Sequence, residues 1–230
     1  MLVIFMYLYY YCRKMNPFSI LFEDDEILLV NKPHGTAVQG GTGIAHPLDE
    51  ELSKQTGYKV HLVHRLDKDT AGILIVAKNP QAAAKWTKLI ATKQVKKEYT
   101  AICIGEPLVN GKKSDRGTIR GTVEAHGKTQ DAFLDFNVEK KAQGLCLMHI
   151  TLGTGRMHQI RIQLAKAGCP IAADDQHGDF KQNKVLKKQG IKKLQLAATK
   201  LTLPIEGKPQ TFTIPLPPHM QSTVENFFSL

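Results

Sequence analysis

The stretch His64-Arg65-Leu66-Asp67-Lys68-Asp69-Thr70-Ala71-Gly72, followed at once by Ile73-Leu74-Ile75-Val76-Ala77, constrains the fold most tightly. The second half is an aliphatic, partly β-branched run. It reads as a strand covered on both faces. The first half gathers five charged or titratable side chains at the entry to that strand. Such groups are costly to bury unless they bind or react with something. Asp69 and Thr70 are natural turn formers and Gly72 permits a close backbone approach, so Asp67 is expected at a strand end, facing a cleft. Asp67 is the candidate reactive carboxylate. The ordinary alternative is a carboxylate that pairs with Arg65 or caps a turn. The letters overlap with the His-Arg-Asp of protein kinases, but Leu66 intervenes and no Asp-Phe-Gly follows.

The rest of the chain supplies strands in succession. Ile20–Phe22 and Ile27–Val30 flank the turn 23–26, and Val95–Ile104, Ala132–Val138, Leu145–Leu152, Leu194–Leu203 and Thr211–Ile214 read as further strands. Helices are expected over Pro47–Gln55, after the Asn79-Pro80 start signal, from Met157 to Ala167, and over Pro217–Phe228. Residues 112–127 read as a glycine-rich hairpin excursion. Strands that follow one another without helices between them exclude a purely parallel sheet. The expected fold is α+β, with a mixed, mainly antiparallel sheet and flanking helices. His149 reads as a structural strand residue, and Trp86 as part of a core stripe with Ala82, Leu89 and Ile90. Gln39-Gly40-Gly41-Thr42-Gly43 lacks the Gly-Lys-Ser/Thr of a phosphate loop.

Lysine and arginine number 31 against 21 aspartates and glutamates, a net charge of +10 in 230 residues. That balance favours a polyanionic partner. The four cysteines form no Cys-x-x-Cys pair, which points to a reducing, cytoplasmic setting without disulfides or a zinc site. Met1 to Lys14 is an apolar, aromatic leader, too short to span a bilayer. It is expected to be a mis-called extension ahead of a start at Met15, the rival being a short membrane-surface anchor. From Met15 to Leu230 one domain is expected.

Two further clusters carry chemical potential. In Lys97-Glu98-Tyr99, a tyrosine at a strand start can stack on a planar ligand, or be an ordinary half-buried strand residue. In Gly153-Thr154-Gly155-Arg156-Met157-His158-Gln159-Ile160-Arg161, two glycines precede a helix whose N-terminus, with Arg156, suits a phosphate. His158 and Arg161 are expected on one face, with Met157, Ile160 and Leu164 on the buried one. Arg161 could then hold a carboxylate ionised and oriented through a bidentate contact. Read alone, the segment is equally a solvated polar face.

Taken together, the clusters resemble the RluA-type family of RNA pseudouridine synthases. The first looks like the family's His-Arg-Leu-Asp-x-x-Thr-Ser-Gly motif, the second its Lys-x-Tyr strand, the third its Gly-Arg-x-His-Gln-Ile-Arg helix. Glu23 to Pro33 and Cys169 to Asp179 also fit, so the resemblance runs in order from about Ile20 to Pro217. It implies that Asp67 is the catalytic aspartate. It implies that Tyr99 stacks on the target uracil and Arg161 pairs with the aspartate. Arg65 would help to flip the nucleotide and hold the RNA, with His64, Arg156, His158 and Lys97 as further RNA contacts. It implies no metal and no organic cofactor.

The expected partner is RNA, ribosomal RNA of the large subunit ahead of transfer RNA, with no obligate protein partner. The lysine-rich stretches Lys85–Lys97 and Lys181–Lys193 are candidate contacts to the phosphate backbone. Ala71, His177 and Ala197 stand where the family usually has serine, tyrosine and histidine, which bears on substrate fit more than on reaction type. Recognition would rest on the catalytic domain itself, since little chain precedes Met15. A non-catalytic RNA-binding or ribosome-assembly protein on the same fold is the rival reading. A phosphate-ester hydrolase lacks both a metal cluster and a Gly-x-Ser-x-Gly turn.

Overall fold

The computed structural model describes residues 18–125 and 127–229. The leader, the expected start at Met15 and Cys12 lie outside the described residues. The chain divides into two compact units, one ending at Thr92 and the other beginning at Lys93. Among the described residues no helix is long and apolar enough to cross a membrane.

The first unit holds strands β1 (Ser19–Glu23), β2 (Ile27–Lys32), β3 (His61–Leu62) and β4 (Ala71–Ala77), with helices α1 (Leu48–Thr56) and α2 (Pro80–Ala91). β1 pairs with β2, β2 with β4, and β3 with the Val76–Ala77 end of β4, all antiparallel. Every residue of β4 is buried, as its continuous apolar run requires. Ile27 to Val30 of β2 lie against it in register and are completely buried. Each of these aliphatic side chains contributes about 1.5–3 kcal/mol through burial. Asn79 caps α2 by accepting the Ala82 N–H at 2.8 Å, and Pro80 occupies its first turn. Trp86 is buried and its indole N–H donates to Glu26 at 2.9 Å. Leu89 and Ile90 are only half-buried, so the core stripe is shorter than the spacing implied.

The second unit holds β5 (Lys96–Ile104), the small pair β6 (Leu108–Val109) and β7 (Lys112–Lys113), and β8 (Arg116–Ala125), β9 (Lys128–Ala142), β10 (Leu145–Leu152), β11 (Leu196–Ile205) and β12 (Lys208–Thr213). Its helices are α3 (Gln159–Lys166), α4 (Phe180–Lys188) and α5 (Pro218–Phe228). The sheet runs β12-β11-β5-β10-β9-β8, antiparallel throughout. The fold is thus α+β with a mainly antiparallel sheet. β8 and β9 form a longer hairpin than the glycines around 112–127 suggested. Cys103 and Cys146 face each other across β5 and β10, buried as free thiols like Cys169. Burial pushes the Cys169 thiol up to about 12.

Two helix readings need correction. Met157 is not part of α3: it precedes the helix and is 42% exposed. His158 caps α3 in the left-handed region, at φ 51°, so it does not share a helical face with Arg161. α4, inside the lysine-rich stretch, was not expected as a helix. Asp179 starts it by accepting the N–H groups of Lys181 and Gln182.

Candidate active site

In the first unit the site is the turn between β3 and β4. Leu66 and Thr70 are buried, His64, Asp67 and Asp69 half-buried, and Arg65 and Lys68 exposed. The Thr70 N–H donates to the Asp67 carbonyl at 3.1 Å and closes the turn. The Ile75 N–H donates to His64 Nε2 at 3.0 Å. That nitrogen therefore acts as an acceptor, which places a neutral ring's proton on Nδ1. Arg65 stands exposed at the surface of this turn.

The centre of this turn is Lys32, a residue that sequence reading passed over. It ends β2 and is completely buried. Its ammonium donates to the carbonyls of Thr36 at 2.7 Å, Lys68 at 2.9 Å and Pro33 at 3.1 Å. The Gly35 N–H donates to the same Lys68 carbonyl at 3.0 Å. The Pro33–Thr36 loop and the Asp67 turn are thereby fastened to one cation. Burial pulls the Lys32 ammonium down to about 7, with Asp69 and Asp67 opposing the shift.

In the second unit three elements carry the remaining residues. Tyr99 lies in β5 between Ile150 of β10 and Ala198 of β11, and is 6% exposed. Lys97 stands two residues earlier on the same face of the strand. A Cβ at Gly155 would lie 3.1 Å from the Lys97 ammonium, so that cation rests against the glycine turn. Burial lowers the Lys97 pKa.

The turn from Gly153 to His158 is held from beneath. Gly153 is obligatory, because any Cβ there would overlap the Phe133 ring. Gln159 accepts from the Thr154 hydroxyl at 2.7 Å and the Arg156 N–H at 3.1 Å, and donates to the Phe133 carbonyl at 3.0 Å and to Gln163 at 2.9 Å. Gln163 donates onward to the carbonyls of Ile119 and Ala132. This buried amide network ties α3 and its entry turn to β8 and β9. Arg156 remains exposed.

Arg161 is 3% exposed rather than lying on a solvated face. Within this unit its guanidinium makes a bidentate contact with Asp174. Nε donates to Oδ2 at 2.8 Å and Nη2 to Oδ1 at 2.7 Å. Asp174 also accepts the N–H groups of Gln176 and His177, each at 3.0 Å. Burial would raise the Asp174 pKa, but the Arg161 fork and those two donors outweigh it and hold the carboxyl below its ordinary range. In the sequence Asp174 stands only as one residue of the Cys169–Asp179 motif. Its signal was the pairing an inward arginine requires.

His177, where the resembling family has tyrosine, shares a ring-to-ring hydrogen bond of 3.0 Å with His158. Among the described residues no three His, Cys, Asp or Glu side chains converge as a metal site requires.

The two lysine-rich stretches differ. Lys85 is bound by Glu26 and Lys96 by Glu98, Lys97 is half-buried, and Lys88 and Lys93 are exposed. The six lysines between 181 and 193 are exposed and form no ion pair among the described residues.

Residues 26–166 match the family described as RNA pseudouridylate synthase. The chain is 36% identical over 90% of its length to ribosomal large subunit pseudouridine synthase C of Salmonella typhi, covering 69% of that protein. To the protein of the same name from Escherichia coli (strain K12) it is 36% identical, over 86% of this chain and 66% of the relative. Among solved structures, human RNA pseudouridylate synthase domain containing 4 superposes with a TM-score of 0.72 at 25% identity, covering 90% of this chain and 92% of the other. Human RNA pseudouridylate synthase domain containing 1, at 19% identity and a TM-score of 0.71, shares the fold. The chain belongs to the RNA pseudouridylate synthase family.

Proposed function

We propose that this protein converts specific uridines of large-subunit ribosomal RNA to pseudouridine, with Asp67 as the catalytic carboxylate. The observation that carries the substrate choice is the similarity, over most of the chain, to synthases named for the ribosomal large subunit. Transfer RNA is the second substrate class.

The reaction breaks the bond between uracil N1 and ribose C1′, turns the base, joins C5 to C1′, releases the C5 proton and leaves N1 protonated. Asp67 serves either as nucleophile at C1′ or as base in an elimination at the sugar. Tyr99, on a buried strand, gives the detached uracil a ring to stack on. Arg161 supplies a guanidinium to the reaction. Its Nε and one Nη2 hydrogen already bind Asp174, which fixes the plane of the guanidinium. Arg65 takes part in extruding the nucleotide, a step that opposes about a few kcal/mol of stacking and pairing. His64, Arg156, His158 and Lys97 hold RNA around the target, and the enzyme uses no cofactor. The protein acts in the cytoplasm, as one catalytic domain from Met15 onward.

Tritium release from transcripts labelled at uridine C5 tests this reading. Release from large-subunit ribosomal transcripts is expected. Release from transfer RNA alone would move the substrate class. Tight binding of every transcript without release would favour the non-catalytic RNA-binding reading.

A further inference from the structure

The inner side of α4 meets the turn that carries Asp174, and one side chain makes the connection. Asn183 uses both ends of its amide. Its Oδ1 accepts the Ala173 N–H at 2.9 Å, and its Nδ2 donates to the Asp174 carbonyl at 2.8 Å. Ala173 sits at φ 58°, in the left-handed region that a residue with a Cβ adopts only when its surroundings hold it there. Gly178 closes the turn from the other side. A Cβ at that position would overlap the Asp174 carbonyl oxygen and press on the Asn183 amide. The Asp174 backbone is thus gripped between Asn183 and Gly178, while its carboxylate forks Arg161. Among the described residues, the Asn183 side chain makes no hydrogen bond to Arg161; its amide bonds go to Ala173 and Asp174.

We propose that Asn183 is a positioning residue of the synthase: by fixing the Ala173–Asp174 turn it sets the Asp174 carboxylate, and through it the orientation of the Arg161 guanidinium. The inference rests on the role given to Arg161 above. The outer side of α4 adds a consequence. Phe180 and Val185 are 59% and 50% exposed, and Lys181, Lys184, Lys187 and Lys188 stand in solvent beside them. The helix that offers this basic surface to RNA is the one that holds Arg161 in place. A loosened clamp should therefore harm turnover rather than RNA capture.

The test compares wild type with Asn183→Ala, which removes both bonds, and Asn183→Asp, which keeps an acceptor for Ala173 and removes the donor to Asp174. Gly178→Ala attacks the same turn independently. Two readouts are taken: kcat and KM for tritium release, and the Arg161 Nε–H resonance of the free protein by NMR. The expected result is a kcat lower by about 10- to 100-fold, the scale of a small misplacement of a catalytic group. KM should stay within about twofold, and the Arg161 resonance should move in every variant that folds. A folded variant at position 183 with wild-type kcat and an unmoved Arg161 resonance would overturn the proposal. So would a change confined to KM, which would make α4 a docking element only. Absence of release by wild type itself would refute the proposed function instead, and the resonance would still report whether the clamp orients Arg161.

Discussion

The turn that carries Asp67 and the turn that carries Asp174 are each organised around one fully buried charge, and the two charges are compensated differently. Lys32 faces three backbone carbonyls, which are dipoles. Asp174 faces a guanidinium, a full opposite charge, along with two backbone N–H groups. Dipoles satisfy the hydrogen-bonding capacity of the ammonium but do not offset its desolvation, so it titrates at about 7. The guanidinium does offset the burial of the carboxylate, which stays ionised below its ordinary range. One half of the chemistry is therefore built on a group that can lose its charge near neutral pH, the other on a pair that keeps it.

The largest effect should come from breaking the compensated pair. Asp174→Ala leaves the Arg161 guanidinium buried without its fork and should destabilise the protein by about 3–5 kcal/mol. Chemical denaturation at pH 7 measures this. Asp174 has a lowered folded pKa, so its contribution is present above the unfolded carboxylate value and is lost as pH falls through the lower folded one. Wild type and variant should converge in acid.

Lys32→Met should cost less, about 1–3 kcal/mol, because leaving three carbonyls without their donor is partly offset by removing a buried charge. Its pH dependence has the same sign as that of Asp174 but falls in a higher pH window. Lys32 titrates at about 7 folded and near 10.5 unfolded. Between those values the unfolded chain holds the proton and the folded one does not, so wild-type stability rises with pH. The slope approaches about 1.4 kcal/mol per unit. Lys32→Met should lack that rise, and parallel curves for the two proteins would break the comparison.

The smallest effect on stability should come from the surface, where the same contrast recurs. Replacing Lys181, Lys184 and Lys188 together by alanine should leave the melting temperature within about 2 °C. It should weaken RNA binding about tenfold and lower the salt dependence of log K by about two units. Lys85→Ala should change binding far less, since Glu26 already neutralises that ammonium. Filter binding across a salt series separates the two stretches.

Much of the architecture was legible because it rests on local signals. β4 announces itself as a pure aliphatic run, α2 by Asn79-Pro80, and β10 by its alternation, and all three stand where the pattern put them. Failures occurred where tertiary contacts decide. Spacing could not reveal that α3 starts after His158, because the left-handed conformation there depends on the glycine turn and the Gln159 network beneath it. α4 buries only Leu186 among its apolar residues, too little for a helical stripe, although Asp179 marked its start. The three motif residues given catalytic roles were visible as motifs, but the groups that hold their turns were not. Lys32 and Asp174 looked like ordinary charged residues until the loops folded over them.

The central claim is that Asp67 performs the chemistry and does not merely hold its turn. The measurement that tests it most directly is tritium release by Asp67→Asn beside wild type, on a large-subunit ribosomal transcript, with RNA affinity measured in parallel. Asparagine keeps the shape of the side chain and removes the charge. Loss of turnover by at least about 10³-fold with RNA affinity within severalfold is the predicted result. Turnover by the variant at the wild-type rate would contradict it.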